Sequence, residues 1–113
     1  MQLSTPRDGI VIAAAPAGTL TAANVDGFRE QFQNIIEIHP QTQTVILDLA
    51  EITFMDSSGL GTLIALLKKM SESGGDIKLT SLHKDVRLVF EITKTYKVFD
   101  IYDTPDEALR MLT

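Results

Sequence analysis

Apolar positions along the chain alternate between two spacings, and each change of spacing marks a change of element. Thr44 to Ala50 (Thr-Val-Ile-Leu-Asp-Leu-Ala) is short, aliphatic and almost continuously apolar. That is the pattern of a central strand covered on both faces. Further on, Leu60, Leu63, Ile64, Leu67 and Met70 recur at threes and fours, Lys68, Lys69 and Glu72 fall between them, and Gly74-Gly75 follows. This spacing predicts an amphipathic helix of about four turns with a glycine stop.

The rest of the chain divides the same way. Leu3 to Ala17 is β-prone on both sides of Pro6-Arg7-Asp8-Gly9, and Asp-Gly is a hairpin signal, so a short edge strand, a turn and a second strand are expected. Val25, Phe28, Phe32, Ile35 and Ile36 predict a helix over Ala22 to Ile38, with Thr21 as its cap and His39-Pro40 as its end. Ile77 and Leu79 alternate with polar neighbours, as in a further strand from Asp76 to Ser81. Lys84 to Thr93 reads as a helix with Val86, Val89 and Phe90 on one face and Leu88 and Ile92 as a second pair. Thr95 to Phe99 reads as a loop and a short strand. Thr104-Pro105-Asp106-Glu107 has the cap, first-position proline and capping-box acid of a helix start, and the closing helix carries Ala108, Leu109 and Leu112. Strands alternating with helices predict an α/β fold: one domain over residues 1–113, with a mixed sheet of four to five strands that begins as a hairpin and carries about four helices.

Composition narrows the function more than the fold. The 113 residues suffice for one domain with a core of its own, and the absence of cysteine excludes disulfides and thiolate metal sites. A net charge of -5 argues against nucleic-acid binding, and the single basic pair, Lys68-Lys69, belongs to the solvated face of its helix. Gly9 to Ala17 is apolar enough to suggest the core of a secretion leader, but Asp8 adjoins it and Arg7 alone precedes it, so a strand is expected. No stretch approaches the roughly 18 apolar residues of a membrane helix. His39 and His83, far apart and without cysteine, form no metal-ligand cluster, and no phosphate-binding glycine-lysine loop is present. Neither metal nor cofactor is expected. Ser57, His83 and Asp56 supply the residue types of a hydrolase triad, but Ser57 lacks the glycine elbow and its neighbour Asp56 is badly placed to orient a distant histidine. The expectation is a protein that is not an enzyme.

Phe54 to Thr62 (Phe-Met-Asp-Ser-Ser-Gly-Leu-Gly-Thr) joins the apolar strand to the amphipathic helix. Asp56, Ser57 and Ser58 are of the kind that accept hydrogen bonds from a helix's free N–H groups, and one of them should be the N-cap. A cap accounts for one of them, not for two adjacent serines followed by Gly59. Glycine near a helix start costs roughly 0.5–1 kcal/mol relative to alanine, and access by another protein to the serine hydroxyl is one reason to place it there. Counting back from the Leu60 face points Ser58 toward solvent, so periodicity does not by itself separate the two serines.

The run from Val45 to Met70, VILDLAEITFMDSSGLGTLIALLKKM, closely resembles the STAS domain of anti-sigma factor antagonists, in which the first serine of Asp-Ser-[Ser/Thr]-Gly-Leu-Gly is phosphorylated. The likeness extends over most of the chain, including Val86 to Thr104. It implies a cytoplasmic, monomeric regulator whose dephosphorylated form binds an anti-sigma factor that is also its serine kinase. It further implies that phosphorylation of Ser57 releases that partner and that a PP2C-type phosphatase reverses the modification. Asp56, Ser57, Ser58, Gly59, Leu60, Gly61 and Thr21 are then the expected partner-binding residues, with Ser57 at the N-cap. The family usually has acidic residues where this chain has Thr19 and Thr21, which removes two carboxylates from that surface. The alternative is a constitutive interaction or scaffold subunit of the same fold with no phosphoswitch.

Overall fold

A computed structural model describes residues 1–112. The chain opens as the expected hairpin, β1 (Gln2–Arg7) against β2 (Ile10–Ala14), antiparallel, turning at Asp8-Gly9 where Gly9 takes φ +80°. β3 (Gly18–Leu20) and α1 (Val25–Ile38) follow, then β4 (Thr44–Asp48), β5 (Ile52–Met55) and α2 (Ser57–Glu72). The chain finishes with β6 (Asp76–Thr80), α3 (Lys84–Ile92), a single 3-10 turn (Thr95–Lys97), β7 (Asp100–Tyr102) and α4 (Pro105–Arg110). Five strands form one mixed sheet in the order β1-β2-β4-β6-β7, with every pairing beyond the first parallel.

The register explains the hydrophobic pattern. Val11, Val45 and Ile77 lie side by side, as do Ala13, Leu47 and Leu79. Both rows are buried against Phe28, Phe32 and Ile35 of α1, Leu60, Leu63, Leu66, Leu67 and Met70 of α2, and Val86 and Phe90 of α3. Ile46 points to the opposite face and is also fully buried, because α4 packs there and brings Ala108 with it. The continuous Val45-Ile46-Leu47 run thus records a strand sandwiched between helices on both sides. Arg7 Nη2 donates to the Leu109 carbonyl at 2.6 Å, tying the first strand to the last helix. Lys78 bridges Asp76 (2.7 Å) and Asp100 (2.5 Å), joining β6 to the three-residue edge strand β7.

The expected elements recur with four differences. A second, two-stranded parallel sheet pairs β3 with β5, Thr19 opposite Phe54 and Leu20 opposite Met55; neither strand was separable from its neighbours by periodicity. α1 starts at Val25 rather than Ala22, with Asn24 at the cap position, so Thr21 does not cap it. The last strand lies at Asp100–Tyr102 and not within Thr95 to Phe99. There the chain makes its 3-10 turn, and Phe99 is buried edge-on against Phe90, ring centroids 6.0 Å apart. Ile64, placed on the helix's apolar face by spacing, is partly exposed, and Leu66 fills that role instead.

Candidate functional site

β5 ends at buried Met55, and the next residue, Asp56, is still extended (φ −99°, ψ −175°) when α2 begins. Its carboxylate makes two bonds to two different elements. Oδ1 accepts from the Gly59 N–H at 2.9 Å, which is the N-cap bond of α2, and Oδ2 accepts from the Ala22 N–H at 3.1 Å, across to the turn between β3 and α1. Asp56 N–H also donates to the Leu20 carbonyl at 3.3 Å. The Gly59 amide holds the Asp56 carboxyl below its ordinary value; partial desolvation opposes this, and the Ala22 amide adds to the lowering.

Asp56, not Ser57, is therefore the N-cap. The aspartate follows an extended strand and its Oδ1 reaches the Gly59 N–H, which places Ser57 at the first helical position. Ser57 is exposed, whereas Ser58 is half-buried and its carbonyl accepts from the Thr62 hydroxyl at 2.8 Å. The more exposed serine is the first of the pair.

Gly59 has a different reason to be glycine than access. A Cβ there would sit 2.3 Å from the Leu20 carbonyl oxygen and 2.8 Å from Met55 Cγ, so the α2 backbone lies directly on the end of β3. The missing side chain permits packing inside the molecule. Gly61 is the exposed one, with nothing beyond its own stretch of helix within 4 Å of where its Cβ would be. Leu60 is 6% exposed and packs into the core, so it supports the site from beneath.

Thr21 lies close to Asp56 through its neighbour. Its carbonyl accepts from the N–H groups of Asn24 and Val25, both at 3.0 Å, its N–H donates to Asn24 Oδ1 at 2.9 Å, and its hydroxyl accepts from the Ala23 N–H at 3.3 Å. Asn24 Nδ2 donates to the Thr19 carbonyl at 2.6 Å. The turn is thus internally bonded and joined to α2 by Ala22 and Asp56. The sequence-predicted residues Thr21, Asp56, Ser57, Ser58 and Gly59 are gathered at this junction. Ala22 and Asn24 were missed because they act through a main-chain N–H and a local amide. Phe54, 52% exposed beside Thr19, was inside the motif but unrecognised as a surface aromatic. The residue types of a triad do not connect: the Asp56 carboxylate is taken by two amides and His83 Nε2 lies 2.6 Å from the Ala50 carbonyl oxygen. Among the described residues no group of three or more acidic or histidine side chains could hold a metal ion, and no helix is long and apolar enough to cross a membrane.

Comparison with known proteins places this geometry among relatives. A family model described as the STAS domain matches residues 4–108. An anti-sigma F factor antagonist from Paenibacillus polymyxa is 28% identical, covering 90% of this chain and 86% of that protein. The crystal structure of TM1081 from Thermotoga maritima superposes with a TM-score of 0.85 at 27% identity, over 97% of this chain and 92% of that one. The anti-sigma factor antagonist SpoIIAA shares the fold in its unphosphorylated form (TM-score 0.70, 23% identity, 98% and 96% covered). Bacillus SpoIIAA in its phosphorylated form does so equally (0.71, 20%, 99% and 98%).

Proposed function

The chain belongs to the STAS-domain family, and from that premise we propose that it is an anti-sigma factor antagonist switched by phosphorylation of Ser57. The observation that carries the reading is the exposed Ser57 hydroxyl at the first position of α2, beside a cap that does not depend on it. In the dephosphorylated state the α2 start and the Thr21 turn bind an anti-sigma factor, which also acts as the serine kinase. Phosphate on Ser57 adds about −1.5 to −2 charges next to the Asp56 carboxylate. In the free protein that charge stays in water near the positive end of the helix, so the fold survives. Inside a complex it must be desolvated beside like charge, and losing complementarity at such a buried charged position typically costs about 2–5 kcal/mol, or roughly thirtyfold to several thousandfold in affinity. A PP2C-type phosphatase resets the switch, and the protein works as a cytoplasmic monomer through binding alone.

The test is partner binding by wild type, Ser57→Ala, Ser57→Asp, Ser58→Ala and the authentic phosphoprotein. Wild type, Ser57→Ala and Ser58→Ala should bind, and the phosphoprotein should not. Phosphate mapping to Ser58, or binding by Ser57→Asp and by the authentic phosphoprotein that is unchanged from wild type, would overturn the proposal. Full binding with no modification by any serine kinase of the same genome would favour the constitutive scaffold reading instead.

A further inference from the structure

We propose that Asp56 is a positioning residue that relays the state of Ser57 to the Thr21–Asn24 turn, so that phosphorylation loosens a second segment of the binding surface as well as marking the first. This deepens the phosphoswitch reading and rests on it.

The two oxygens of the carboxylate serve different parts of the chain. The bond to Gly59 lies within the first turn of α2, three residues on, while the bond to Ala22 spans 34 positions and reaches an exposed turn. The remaining bonds of that turn are internal to it, run to Thr19 within the same segment, or join it to the first turn of α1, where the Val25 and Phe28 N–H groups donate to the Thr21 and Asn24 carbonyls. The carboxylate of Asp56 is therefore the side-chain tie across the junction, and it is charged. A phosphoryl dianion on the adjacent residue repels it. Of its two bonds, the one to Ala22 is longer, lies at the surface and spans two segments, whereas the one to Gly59 closes the first turn of α2. The Ala22 bond yields first. A partner seated on both α2 and the turn then loses a charge match and a preset turn geometry in one event, and reordering such a turn weakens binding further.

The relay is separable from the cap by Asp56→Asn. Asparagine caps helices as well as aspartate. Its single carbonyl oxygen can serve Gly59, but its amide nitrogen is a donor and has nothing to offer the Ala22 N–H. The experiment installs phosphoserine at position 57 during translation, so no kinase is required, and follows backbone amides by NMR. In wild type, phosphoserine should shift the signals of Thr21, Ala22 and Asn24 and raise water exchange at the Ala22 amide by roughly fivefold, the protection carried by one ordinary net hydrogen bond. Unmodified Asp56→Asn should already show the loosened Ala22 signal, and phosphoserine in that background should move residues 57–60 only. An Ala22 amide indifferent to phosphoserine in wild type, or responding equally in Asp56→Asn, overturns the relay. The same samples titrated with the anti-sigma partner separate the two ideas. Loss of binding without an Ala22 response leaves the switch standing and removes the relay; an Ala22 response with unchanged binding removes the switch and, with it, the relay's effect on the partner.

Discussion

The cap that the sequence assigned to Ser57 belongs to Asp56, so the proposed modification of Ser57 does not compete with capping. Because the cap bond comes from Asp56, Ser57→Ala should shift the denaturant midpoint hardly at all, within about 0.5 kcal/mol as for ordinary surface substitutions. Thr104→Ala, which removes a hydroxyl that accepts from the Glu107 N–H, should cost about 1 kcal/mol in the same assay. The two substituted glycines should differ in sign. Gly59→Ala drives a methyl group into the Leu20 carbonyl and should destabilise by roughly 1–3 kcal/mol, while Gly61→Ala points into open space and should stabilise α2 by about 0.5–1 kcal/mol. Asp56 also carries a pH signature. Its carboxyl is lowered in the folded state, chiefly by the Gly59 amide, so its contribution is fully present above the ordinary carboxylate value of 3.8 and is lost as pH falls through the lower, folded value. Urea midpoints of wild type and Asp56→Asn should therefore differ by a constant amount above about pH 5 and begin to approach each other only as the pH falls below about 4. At this scale the residue types were legible and their roles were not. A carboxylate, two hydroxyls and a glycine in sequence announce a helix start, but only the end of β3 lying against α2 decides which one caps and which one must lack a side chain.

Elements long enough to show a period were read correctly from it. β4 and α2 both stood out, and their interiors should respond alike: Leu63→Ala and Ile46→Ala, each fully buried, should cost roughly 2–5 kcal/mol by denaturation. β3 and β5 escaped because three or four residues cannot display an alternation, and because their pairing, Leu20 with Met55, exists only once the chain has folded. Over Thr95 to Phe99 the aromatic and β-branched residues suggested a strand, yet Tyr96 and Val98 are exposed, while Thr95 and Phe99 are buried and Phe99 meets Phe90. Propensity described those side chains without describing the turn that Lys94 begins in left-handed geometry. The start of α1 was misjudged for a related reason: Thr21 caps its own turn, and that turn's contact to Asp56 lies far away in sequence.

Across the whole molecule, the sheet has two free margins, and each is blunted. β1 is exposed along its length, breaks register between Ser4 and Arg7, and carries Pro6, which has no N–H to offer; β7 is three residues long. Sedimentation of the unmodified protein should accordingly give the mass of one chain across the accessible concentration range, and a self-associating species would contradict this. The interrupted margin at β1 bears on dosage inside a cell. A protein that acts by occupying its target one for one must be made in numbers matching that target, and crowding of identical sheets invites stacking into fibres at such abundance. A kinked outer strand lets supply rise without that hazard, so that, on the proposed reading, the free quantity is set by modification of Ser57 rather than by precipitation.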